Sequence, residues 1–257
     1  MLSASFSSGQ AVTQGEVLFF PKELNLESYI QVVTEPGIWI AYANTIFYTV
    51  VGVGVNLLFT ICGAYPLSKK RLKGRSFIAF LIALTMWFNA GLVPLYLNFR
   101  DLDLLDTRTA IIIGFAISTF LVFILRTFFQ SLPDSLEESA KVDGANDLHI
   151  LWKIYLPLSK AALVTVGLFY AVGRWNGYFW AMVILNDENK IPLQVLLKKL
   201  IVEMNIEQEF ALVNNAIYSQ ETIIYATIII SILPIVIAYP FLQKYFSKGA
   251  IIGSIKE

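Results

Sequence analysis

Residues 138–157 read ESAKVDGANDLHILWKIYLP, a polar and charged run set between two long apolar stretches. Glu138 leads Ser139 and Ala140, Gly144 stands six positions after Glu138, and Ile154, Leu156 and Pro157 close the run. These residue types suit contact better than bond-making. The preceding Pro133-Asp134-Ser135 predicts a helix start, with Asp134 or Ser135 as N-cap. Glu137 and Glu138 then fall in the first turn, where carboxylates meet the positive end of the helix dipole. Gly144 permits a sharp turn between two short helices. The small residues Ser139, Ala140 and Ala145 let another protein surface approach the backbone closely. Beyond the turn, Leu148, Ile150, Leu151, Ile154 and Tyr155 recur at helical spacing and predict one apolar face. What this offers is a docking surface, acidic at its start and bent at a glycine.

No catalytic constellation competes with it. One His (His149) and one Cys (Cys62) exclude a His- or Cys-cluster metal site and an intrachain disulfide. Cys62 lies in an apolar run and reads as a small packing residue, and His149 as packing within the polar loop. The chain shows no phosphate-cradling loop and no nucleophile with a base, so it is not expected to be an enzyme or to bind a cofactor itself. Its formal charge of zero implies no nucleic acid.

Of the 257 residues, 56% are hydrophobic and 15% charged, against about a quarter charged in soluble domains. The apolar residues gather in runs, which predicts an all-α integral membrane protein. Five stretches are long enough to cross a hydrocarbon layer of about 30 Å: 40–67, 77–97, 109–129, 161–185 and 222–246. Together they form one transmembrane domain over 39–246. Loop 68–76, SKKRLKGRS, is basic without an acid and marks the cytoplasmic side. Alternation then puts 98–108 and 186–221 outside, and 130–160 and the tail 247–257 inside. Segment 1–38 would lie outside with no span to carry it there, so an upstream transmembrane helix is expected before it. Leu24, Tyr29, Ile30 and Val33 predict a short interfacial helix, and 192–205 an amphipathic one.

The order Glu138-Ser139-Ala140, Gly144, Ile154, Leu156-Pro157 resembles the EAA signature of ABC importer permeases, the MetI-like inner-membrane components of binding-protein-dependent transport. The one departure is Ser139 where the signature has Ala, a small-for-small change. Segments 84–97, 168–185 and the tail from Gln243 resemble the carbohydrate-uptake branch, and within it oligosaccharide permeases of the YtcP/LplC type. The resemblance implies the type I transmembrane bundle in a bacterial cell membrane. It also implies a coupling helix over 134–157 that docks on a separate ATPase, with Glu138, Ser139, Ala140, Asp143, Gly144, Ala145, Ile154, Leu156 and Pro157 as coupling residues. The implied partners are a second homologous permease in a heterodimer, two ATPase subunits that hold ATP and Mg, an extracytoplasmic solute-binding protein, membrane lipid and a carbohydrate. The match starts at what is normally the family's second helix, in agreement with the topology.

Ionisable and hydrogen-bonding groups inside spans default to functional hypotheses. Arg174, between Gly173 and Trp175-Asn176, either faces a sugar path or pairs with another helix. Trp87, Asn89 and Tyr96 cluster in a span interrupted by Gly91 and Pro94, and either line the path or, for Asn89, bond across helices. Tyr178 belongs to the path or to the outer aromatic belt. Asn44 and Asn56 read as interhelical polar bonds, and Arg126 as snorkelling to the interface. A secondary transporter would need acids in its spans for ion coupling, and these hold none. A permease for a non-sugar solute remains the nearer alternative.

Overall fold

The computed structural model describes residues 1–88, 90–207 and 220–254, with the side chains of 203–207, 220, 238–239 and 241–254 excepted. All regular elements among these are helical. The chain divides into two compact units, Met1–Phe47 with Trp175–Pro240, and Tyr48–Arg174 with Phe241–Glu257.

The first unit packs Val32, Ile38, Ala41, Leu193 and Ala226 into a small core. Polar side chains tie the core together where backbone runs out of partners. Asn44 donates from Nδ2 to the carbonyls of Asn189 (2.8 Å) and Ile191 (3.1 Å), Thr45 Oγ1 accepts from the Leu193 amide at 2.8 Å, and the Ser28 and Thr222 hydroxyls bond at 2.7 Å. In the short helix Glu27–Thr34 the buried residues are Ser28 and Val32, while Ile30 and Val33, like Leu24 before the helix, are exposed. The inward face is set by Val32 and by Ser28, which finds Thr222 inside the core, and leaves these three apolar residues of the expected interfacial stripe outward. Leu193–Glu207 forms the second amphipathic helix directly after Pro192.

The Pro36–Ser68 helix runs 33 residues, about 50 Å at 1.5 Å per residue. It is the one described helix that is by itself long and apolar enough to cross a membrane. In the second unit its later turns pack through Ala64, Tyr65 and Leu67 against Leu121, Val122, Leu125 and Phe129 of the Thr119–Ser131 helix, and against Ile150, Leu151, Tyr155 and Val166. The stretch over 77–97, expected to be interrupted at Gly91 and Pro94, is two helices, Arg75–Leu84 and Leu92–Asp101, and Pro94 lies inside the second. Gly91 between them takes φ +85°, a conformation that glycine adopts without steric penalty.

The stretch at 109–129 is likewise two helices, Arg108–Ile113 and Thr119–Ser131, with a break at 114–118. Gly114 starts that break because a Cβ there would lie 2.5 Å from both the Ala110 carbonyl oxygen and the Phe99 ring. The stretch at 161–185 divides into Lys160–Asn176 and Phe179–Ile184.

Candidate functional site

The polar run folds as two short helices around a glycine turn. The first, Asp134–Val142, begins after Pro133, so Asp134 sits inside its first turn with Glu137, and neither Asp134 nor Ser135 is the N-cap. Proline fixes the φ needed at that boundary and has no amide to leave unpaired. The helix ends in a Schellman motif: the Ala145 amide donates to the Ala140 carbonyl (2.9 Å) and the Gly144 amide to the Lys141 carbonyl (3.0 Å). This geometry puts Gly144 at φ +79°. Asn146 then caps the second helix, Asp147–Ile150, its side-chain oxygen accepting from the His149 amide at 2.8 Å. A π-helical turn over Leu151–Tyr155 follows, and the chain bends by 82° into Lys160–Asn176.

The inward face holds Ile150, Leu151 and Tyr155, buried, with Ile154, Leu156, Ala140 and Ala145 packed partly against the same core. Leu148 is not on it: it is 68% exposed, since α-helical phase sets it well to one side of the buried Ile150 and Leu151. Glu138, Ser139, Val142, Asp143, Gly144, His149 and Pro157 are also exposed. The residues that the signature singles out therefore divide into an inner set packed on the core and an outer, exposed set around the Gly144 turn.

The anchoring centre lies at Glu137, one residue before the signature glutamate. Lys69 Nζ meets Glu137 Oε2 at 2.5 Å, with the two side chains only 8% and 14% exposed. Lys69 also lies over the rings of Tyr155 (3.5 Å) and Tyr65 (4.4 Å). Lys141 bonds the other carboxylate oxygen, and the Tyr155 hydroxyl donates to Oε2 at 3.4 Å. Arg71 lies 3.5 Å from Glu137 and pairs with Asp147. Lys70 pairs with Asp134 at 2.8 Å, and Tyr65 Oη donates to the Asp147 carbonyl at 3.2 Å. The basic loop thus clasps both short helices. Sequence reasoning used its charges only for orientation, although five cations beside a segment starting with three carboxylates was a legible signal.

Burial opposes ionisation of Glu137, but hydrogen bonds from Lys141 and Lys69, and their charges, outweigh it and hold the carboxyl down at about 2. Burial pushes the Tyr155 hydroxyl up to about 12, aided by the Glu137 charge. Burial also pulls the Lys69 ammonium below its ordinary value against the pull of Glu137. The short contact and two ring faces favour the ionised pair. A cavity of about 300 Å³ opens beside the clasp, lined among others by Lys70, Arg75, Gln130 and Glu138.

The residues considered for a transport path occupy different settings. Arg174 donates to the Ile111, Ile112 and Phe115 carbonyls and to Asn56 Oδ1. These acceptors are the carbonyls freed at the 114–118 break. Tyr170, one turn earlier, serves the same break, its hydroxyl accepting from the Ser118 amide at 3.0 Å and bonding Thr60 at 2.7 Å. Gly52 makes room, since a Cβ there would stand 3.0 Å from Arg174 Nε. Arg126 donates from Nε to the Leu67 carbonyl at 3.1 Å. In the first unit, Trp175 is buried, with Nε1 donating to the Ser231 carbonyl at 3.2 Å and its ring edge-on to Tyr42. Asn176 and Tyr178 are exposed, as is Trp87 in the second unit, where Tyr96 is half-buried. Asn89 lies outside the described residues.

Comparison with known proteins gives this geometry a family. Residues 36–251 match the binding-protein-dependent transport system inner membrane component. The chain is 41% identical over 257 residues to protein LplC of Bacillus subtilis (strain 168), covering all of this chain and 87% of that one. It is 39% identical over 258 residues to the polygalacturonan/rhamnogalacturonan transport system permease protein YtcP of the same organism, covering all of this chain and 90% of the relative. A crystal structure of a bacterial ABC transporter involved in the import of the acidic polysaccharide alginate resembles it at 54% identity and a TM-score of 0.89, over 95% of this chain and 88% of that chain. The matched region includes the whole Gly144 turn and its clasp, and the chain belongs to the family of binding-protein-dependent transport system inner membrane components.

Proposed function

We propose that this chain is the carbohydrate-translocating permease of an ABC importer, working on acidic oligosaccharides. The family is an inner-membrane component of a transport system with other subunits, and its relatives are permeases rather than enzymes. The observation that carries the mechanism is the two-sided coupling segment. Its inner face is held by Glu137, Ile150, Leu151 and Tyr155, while Val142, 88% exposed, and Gly144 face outward among the described residues. In this reading the outer face docks on a separate ATPase subunit that holds ATP and Mg.

A second, homologous permease completes the path across a multi-pass bundle in the cell membrane. A solute-binding protein delivers the sugar from outside, and closure of two ATPases moves the segment. The acidic character of the sugar is supported by the alginate importer at 54% identity and by the polygalacturonan/rhamnogalacturonan relative at 39%. In the second unit Trp87 and Tyr96 are proposed as sugar contacts, through ring stacking and hydroxyl hydrogen bonds. In the first unit Asn176 and Tyr178 are proposed as such contacts in their own right.

Co-purification from the native operon context tests the reading. An ATPase subunit and a second permease are expected with the wild-type chain, and Gly144→Trp is expected to abolish ATPase association and uptake. Uptake of oligogalacturonate or oligoalginate, but not of a neutral arabino-oligosaccharide, is the expected substrate pattern. Intact transport in Gly144→Trp with no ATPase bound would overturn it.

A further inference from the structure

We propose that Lys69 and Glu137 form a transmission joint, through which movement of the 134–157 segment drives the Pro36–Ser68 helix directly. The inference rests on the permease reading above and adds to it a route that the chain connectivity does not reveal. By connectivity, the segment is joined to the Thr119–Ser131 helix through Leu132-Pro133 and to Lys160–Asn176 through Ser159. The second connection turns through 82°, so the segment is not collinear with the helix it leads into. Lys69 directly follows the last residue of the Pro36–Ser68 helix, and its amide is bonded to the Pro66 carbonyl at 3.1 Å.

The contacts single out this pair among the neighbouring ones. Lys70–Asp134 is 81% and 68% exposed, and Arg71–Asp147 is 47% and 51% exposed; pairs in water contribute little. Lys69–Glu137 is 8% and 14% exposed, its ammonium held between two aromatic rings. Both rings belong to the parts being joined: Tyr65 lies in the long helix and Tyr155 in the segment's π-turn, 5.3 Å apart between centroids. This enclosed, bonded pair resists separation because Lys69, whose one carboxylate partner among the described residues is Glu137, would be left with an uncompensated charge. The joint therefore stays closed while the segment moves, and the long helix moves with it.

The test uses the complete transporter in proteoliposomes, scoring sugar imported per ATP hydrolysed. Loss of assembled complexes lowers both quantities together and leaves this ratio unchanged, so the ratio reports the joint and not folding. Lys69→Met, which keeps length and ring contact but loses the charge, is expected to lower the ratio by roughly fivefold or more, the lower end of ordinary site-to-site coupling. Lys69→Arg should recover most of it. In a Cys62→Ser background, Lys69→Cys with Glu137→Cys should lose the ratio in the same way, and a short bifunctional thiol crosslinker between the two should restore it. An unchanged ratio in Lys69→Met, or arrest of uptake on crosslinking while ATP hydrolysis continues, would overturn the proposal. If Lys69→Met does not assemble, the crosslinked pair decides. Absence of sugar-stimulated ATP hydrolysis in the wild type would instead defeat the permease reading.

Discussion

At the residue scale, two neighbouring glutamates have opposite fates. Glu138 leads the recognisable signature and is exposed, whereas Glu137 is part-buried among Lys69, Lys141 and Tyr155. Because the Glu137 carboxyl is held at about 2 against an ordinary 4.5, its contribution to stability is complete above pH 4.5. It is lost as pH falls towards 2, where the folded form must also take up the proton. Hydrogen exchange of residues 134–146 is therefore expected to rise between pH 4.5 and 2.5 in the wild type, and to be insensitive over that window in Glu137→Gln. Which of the two acids is buried was not legible in the sequence, since it depends on the helix phase relative to a loop more than 60 positions away. Arg174 is a similar case. Its residue type and place in a span were plain, but its partners are backbone carbonyls, which no side chain advertises. Bonds to a charged donor are worth about 1.5–3 kcal/mol each, so Arg174→Ala is expected to lower the detergent melting temperature by roughly 5 °C. Lys, lacking the planar fork, should recover only part of that.

At the element scale, lengths and apolar runs were readable and most interruptions were not. The breaks at 114–118 and after Asn176 fall in stretches whose composition alone predicts continuous helices, whereas the one at Gly91 was marked by its glycine. Apolarity measures what the surroundings demand, whereas a break depends on whether other groups accept the freed backbone, as Tyr170 and Arg174 do at 114–118. The Gly144 turn was readable because the need is local: a left-handed residue must follow the first short helix, and glycine supplies it. Gly144→Ala separates backbone cost from partner contact, as a Cβ there meets nothing within 4 Å. The left-handed conformation alone should cost ~1–2 kcal/mol, detected as roughly tenfold faster exchange of the Ala145 amide. ATPase association should weaken far less than in Gly144→Trp. Gly144→Asn, which tolerates this backbone region, should exchange almost as slowly as the wild type.

At the scale of the whole molecule, exposure has two meanings that depend on the surrounding solvent. Val50, near the middle of the Pro36–Ser68 helix, is 67% exposed, and Val142, beside the Gly144 turn, is 88% exposed. By accessible surface they are alike. In the proposed permease reading the first faces hydrocarbon or another helix, and the second faces water or a docked protein. Introducing a carboxylate distinguishes them. Val50→Asp replaces a favourable insertion residue by one costing about 3 kcal/mol at a helix centre, about a hundredfold in an equilibrium constant. It should sharply reduce the yield of monodisperse transporter extracted from membranes. Val142→Asp meets no such cost and should leave the yield unchanged, while weakening ATPase association through the charge placed on the docking face. Equal loss of yield from both substitutions would mean that Val142 is also covered by lipid or by another helix, and would remove the Gly144 turn from the aqueous side altogether.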